Sequence, residues 1–192
     1  MKMYRLKRRQ GGFTLVELAI VVVLVGIVMT IVIAAMSGST DSARAKLLMR
    51  VAKSSTDIIS QVARTCGTSN AIAGNPLAAS GRTVLDVAFN GEPAVSATYR
   101  TCYQQAAVRP IRDSVSKNGT AWQVNSYPLN ITGGGLSKFT VEYQRVPEAT
   151  VLALAQSYSE GLDALAASDT TSDVVRYSAA SGGTRTVTIL LD

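Results

Sequence analysis

The chain has 192 residues, with 19 Lys and Arg against 13 Asp and Glu, two cysteines and no histidine. Without an imidazole, neither a Ser-His-Asp triad nor a Cys-His pair can be built. The net charge of +6 is no nucleic-acid footprint: Lys2, Arg5, Lys7, Arg8 and Arg9, five of the positives, lie in residues 1–12, which hold no acid, and the rest of the chain carries +1.

Residues 1–12 are a basic leader ending in a Gly pair, and an apolar run begins at Phe13. Leu18–Met36 is nineteen residues without a charge, enough to cross a bilayer as a helix. The leader cations orient such a span with the leader in the cytoplasm. A secretory signal carries its small-residue cleavage site after the apolar core. Here none follows, and the Gly12–Phe13 junction precedes the core, so a cut there would retain the core as the mature N-terminus. A plain uncut anchor is the alternative. Glu17 is the one carboxylate at the start of the run, and an ionisable group in that position is by default a functional candidate. Gly26 interrupts the run, where its bland role is close packing against a neighbouring helix.

Gly12-Phe13-Thr14-Leu15-Val16-Glu17, between a charged leader and a long apolar run, resembles the processing signature of type IV prepilins and secretion pseudopilins. The resemblance covers the leader and the apolar run only. It implies that a membrane prepilin peptidase, also an N-methyltransferase, cuts after Gly12 and methylates the amine of Phe13. It implies that Glu17 takes part in assembly and that Gly26 is a point where the helix loosens in the filament. The Pro often found eight residues after that Gly is Ala34 in this chain. The implied partners are further copies in a helical homopolymer, an inner-membrane assembly platform and minor pilins. The implied location is the bacterial inner membrane, single pass with the C-terminal domain outside, and then the extracellular pilus.

Beyond Met36 the apolar residues Leu47, Leu48, Val51, Ile58, Ile59 and Val62 recur at helical spacing opposite Arg44, Lys46, Arg50, Lys53 and Asp57. A nearly continuous helix is therefore predicted from Thr14 to about Thr65, roughly 78 Å long at 1.5 Å per residue, and capped near Gly67. Cys66 and Cys102 both follow the span, on its oxidising side, which favours a disulfide; two buried free thiols are the alternative. Residues 67–91 read as an irregular connection and Ala94–Ser116 as a helix broken or kinked by Pro110. Alternation then predicts strands at Thr120–Ile131, with Pro128 at its end, and Lys138–Val146, joined by a Gly133–Gly135 turn. Pro147-Glu148 opens a helix predicted to reach about Ala167. Asp173–Ala179 and Thr184–Leu191 form a final hairpin.

The expected fold is α+β: a long N-terminal helical spine packed on an antiparallel sheet of about four strands, with a crossover helix. The expected organisation is a cleaved leader at 1–12, a membrane or filament-core helix at 13–36, its amphipathic continuation at 37–66 and a globular head at 67–192. No catalytic residue, metal set or cofactor is expected. Asp163, Asp169 and Asp173 read as caps or solvated charges, and the triple glycine lacks the context of a phosphate loop. The functional expectation is a structural pilus subunit. A type II secretion pseudopilin, or a single-span protein with a ligand-binding outer domain, is the alternative.

Overall fold

The computed structural model describes residues 14–158 and 162–192, with residues 33–38 described as helical backbone only. Leu15–Cys66 is helix α1. The chain divides into two units, one ending at Thr40 and the other comprising Asp41–Asp192; the first is the apolar half of α1, taken up with the site below.

In the second unit, Ala45, Leu48, Met49, Ala52, Ile59, Val62 and Ala63 form the buried stripe of α1. Two polar residues interrupt it without a desolvation cost, because the hydroxyls of Ser55 and Thr56 donate to the carbonyl of Ala52 at 2.9 and 3.1 Å. The stripe packs on a six-stranded antiparallel sheet in the order β1-β2-β3-β4-β6-β5. The strands are β1 (Ser116–Asn118), β2 (Ala121–Val124), β3 (Tyr127–Gly133), β4 (Phe139–Pro147), β5 (Val175–Tyr177) and β6 (Thr184–Leu191). Alternation puts Phe139, Val141 and Tyr143 of β4 and Val187 and Ile189 of β6 into the same core. The Tyr143 hydroxyl donates to the Leu48 carbonyl at 2.8 Å, tying the central strand to α1. Burial holds that phenol far above its ordinary pKa. The fold is thus α+β, with a helix packed on an antiparallel sheet.

Several local expectations are corrected. The sheet has six strands rather than about four. Thr120–Ile131 is two strands, because Asn125 and Ser126 both take positive φ (49° and 69°) and turn the chain into a two-residue hairpin, and Ser116–Asn118 adds an edge. The 67–91 connection contains helix α2 (Val84–Asn90), closed by a capping box between Thr83 and Asp86. The 94–116 segment is not one helix. A bridge between Ala78 and Val95 pulls its start out of helical geometry, leaving two short 3-10 turns and α3 (Arg100–Gln105). Helix α4 (Glu148–Gln156) stops short of the expected end near Ala167.

α1 ends as its sequence requires. Gly67 takes φ 65°, and the Thr68 N–H reaches back to the Ala63 carbonyl at 2.9 Å. The irregular segment that follows α1 docks on the β3–β4 turn: the Ile72 N–H donates to the Gly133 carbonyl at 2.9 Å, and the Gly135 N–H to Asn70 Oδ1 at 2.7 Å. This contact accounts for the middle glycine of the triple, since a Cβ on Gly134 would lie 2.5 Å from the Asn70 carbonyl oxygen and 2.8 Å from the Phe139 ring.

Cys66, the last residue of α1, is bonded to Cys102 in α3, with Cα atoms 5.2 Å apart and a sequence separation of 36. The bond pins the 67–101 excursion back to the spine. Cys102→Ser is expected to lower the unfolding free energy by about 3–4 kcal/mol on the chain-entropy model, measured by urea titration of the detergent-solubilised chain. A loss below about 1 kcal/mol would mean that packing alone holds the excursion.

Candidate assembly segment

The first unit is built of side chains that water does not favour. From Leu15 to Val32 every side chain is exposed in the single chain, and Leu15–Val32 is long and apolar enough to cross a membrane. An apolar surface this continuous needs a cover, either lipid or other apolar helices.

Glu17 stands in the first turn of α1. Its Oε2 accepts from the Thr14 N–H at 3.4 Å and from the Thr14 hydroxyl at 3.3 Å, while its own N–H donates to Thr14 Oγ1 at 3.2 Å. That reciprocal pair is a capping box, and a carboxylate at this end of a helix also meets the positive pole of its dipole. The T-x-x-E spacing was the sequence signal for this local role, which the motif reading above passed over. The contacts are long and exposed, and Oε1 has no hydrogen bond among the described residues, so the carboxylate retains capacity for a further donor.

Gly26 lies in the same helix, and a Cβ built there meets nothing within 4 Å. The single chain therefore does not require glycine at this position, where alanine would favour the helix by about 1 kcal/mol. Gly12 and Phe13, the proposed processing pair, lie outside the described residues.

The second unit carries two polar constellations that sequence reading missed. Asp86 is 2 % exposed. Its Oδ2 accepts from the Thr83 N–H (2.8 Å) and hydroxyl (2.9 Å), and its Oδ1 from Lys117 Nζ (2.6 Å) and Trp122 Nε1 (3.2 Å). The Lys117 ammonium also sits 5.2 Å from the centre of the Trp122 ring, which packs on Phe89. Burial pushes the Asp86 carboxyl up, but Lys117 and the Thr83 donors outweigh it, and the pKa lies below the ordinary carboxylate value. Both oxygens are occupied, so the group is a lock between α2 and the β1–β2 hairpin rather than a general base.

Arg185 on β6 is the other. Its Nε donates to Glu148 Oε1 at 2.9 Å, and its Nη1 reaches the carbonyls of Ala166, Ala167 and Ser178 at 2.6–3.0 Å. One guanidinium thereby fastens the segment after α4 to the sheet. Among the described residues no group of three or more His, Cys, Asp or Glu side chains is placed to hold a metal ion.

Residues 7–33 match the family described as the prokaryotic N-terminal methylation motif. The match falls on the leader and the apolar half of α1, and it supports a type IV pilin-like signal carried by a pilin-like or pseudopilin protein. It implies processing by a prepilin peptidase and a membrane-anchored form, within a family of structural subunits. No curated protein and no solved structure matches the chain.

Proposed function

We propose that this chain is the structural subunit of a type IV pilus, assembled into a helical filament through its N-terminal apolar helix. The observation that carries this reading is the order of features in residues 1–36: a basic leader, Gly12, Phe13, Glu17 and a charge-free run that cleavage would leave in place. The methylation-motif match over residues 7–33 supports it. Residues 1–12 are removed by a prepilin peptidase, which also methylates Phe13. Residues 13–36 form the membrane and later the filament-core helix, residues 37–66 its amphipathic continuation and residues 67–192 the head. The unassembled subunit stands in the bacterial inner membrane with the head outside; the assembly platform and minor pilins then deliver it to the extracellular pilus.

Glu17 supplies the register. The cut frees an ammonium at Phe13, and in a staggered bundle the carboxylate of one copy can pair with the ammonium of the next. The pairing neutralises two charges that lipid or a dry core would penalise. The apolar side chains between them supply adhesion without direction. Gly26 marks a place where a neighbouring helix approaches closely.

Intact-mass measurement of protein from native cells tests the reading, with a methylated chain beginning at Phe13 as the expected result. Gly12→Val should leave the full-length form in the inner membrane, because the peptidase site must admit a residue with almost no side chain at that position. A wild-type chain that begins at Met1 would end the proposal. Protein that forms no filaments even when overexpressed would move the reading to a single-span protein with a ligand-binding outer domain.

A further inference from the structure

Charge in this chain is segregated rather than scarce. Residues 41–66 hold five cations against two acids, a net +3, whereas residues 148–192 hold six acids against two cations, a net −4. Lys46, Arg50 and Lys53 stand on successive turns of α1 at i, i+4 and i+7, all exposed. Like charges at these spacings destabilise their own helix. Neither these three nor the exposed Asp163 and Asp173 enter an ion pair among the described residues. The three cations rim a groove of about 240 Å³ between α1 and α4, floored by Met49, Leu154 and Tyr158. An apolar floor with a cationic rim fits an acidic protein segment.

We propose that this groove is a contact between subunits, receiving the Asp163–Asp173 segment of a second copy. The inference rests on the filament reading above and names a second interface for it, away from Glu17. Charge complementarity selects the occupant: the chain beyond the leader is nearly neutral, so copies do not repel as wholes, while these two patches attract. Groove and acidic segment are different surfaces of one chain, so a contact made through one such pair leaves the other groove and the other segment free, and it can repeat from copy to copy along a filament.

The test uses the full-length chain in cells. Two charge-reversal sets are made, Lys46→Glu/Arg50→Glu/Lys53→Glu and Asp163→Lys/Asp173→Lys. Each set alone should lower the yield of sheared filaments about tenfold or more through like-charge juxtaposition. All five changes in one chain, or the two sets co-expressed, should restore it. Normal assembly of the lysine-arginine reversal would overturn the proposal, as would two failing sets that no combination rescues. Should a reversal impair folding, judged by the Cys66–Cys102 bond and protease resistance, a second measurement on wild type decides. Membranes holding a mixture of isotopically light and heavy copies are treated with a zero-length carbodiimide cross-linker. Light–heavy links from Lys46 or Lys53 to Asp163 or Asp173 are expected, and their absence would refute the contact. Such links in a wild type that forms no filaments would instead refute the filament reading and leave the contact standing.

Discussion

Glu17→Leu should be made, inserted and cleaved normally, yet give few or no filaments when it is the only subunit present. For one subunit in a membrane the change is favourable, since a charge on a lipid-facing helix costs about 2.5–3.5 kcal/mol by insertion scales, less near the interface. The loss falls on assembly. An unpaired Phe13 ammonium in the filament core costs about 3–5 kcal/mol, repeated at every subunit added. The capping box adds a rival cause, because the substitution also removes half of the Thr14–Glu17 pair. Thr14→Ala separates the two: it removes the cap, worth about 1 kcal/mol, but keeps the carboxylate. Electron microscopy of sheared filaments, beside a membrane-fraction blot, should find Thr14→Ala assembling and Glu17→Leu not. Equal failure would assign Glu17 to starting its own helix, and normal filaments from Glu17→Leu would sink the pairing.

Asp86→Ala should destabilise the head by about 2–3 kcal/mol, because it removes the charge-assisted bonds from Thr83 and Lys117 and leaves the buried Trp122 N–H without its acceptor. Lys117→Met should cost less, since the lysine is partly exposed. The pH dependence has a definite sign. The folded pKa of Asp86 lies below its unfolded value, so its contribution is fully present above about pH 4 and is lost as the pH falls through the folded value. Urea titrations from about pH 6 to about pH 3 should show wild type losing stability with acid and Asp86→Ala losing less. A residual slope is expected from Asp169, whose carboxyl is held low by the Thr171 and Ser172 N–H groups. Parallel slopes for the two proteins would show that Asp86 is not the acid-sensitive group.

How much of this was legible in the sequence follows from the range of the forces involved. α1 was readable because its stripe repeats over many turns, and β4 and β6 because Phe139, Val141 and Tyr143, or Arg185, Val187 and Ile189, alternate strictly. α2 was not, since seven residues give too few turns for periodicity to register; only the Thr83-x-x-Asp86 spacing announced it. The Asn125-Ser126 turn lacks the glycine that usually flags such hairpins, so two strands read as one. The segment after α4 kept a helical-looking rhythm through Leu162 and Leu165. Its course is set instead by Arg185, eighteen or nineteen residues away in sequence from the carbonyls it holds. In the candidate site the motif was fully legible, whereas the local service of Glu17 to its own helix was overlooked beside the charge.

The margins of the sheet have a consequence for how copies of this chain meet when crowded. β1 and β5 are three residues each, and the outward N–H and C=O of Tyr177 on β5 are already taken by Asp169 at 2.8 and 2.9 Å. Neither rim offers a long template on which another chain could zip. Molecules crowded side by side are thereby steered away from fibrous clumping through their strands.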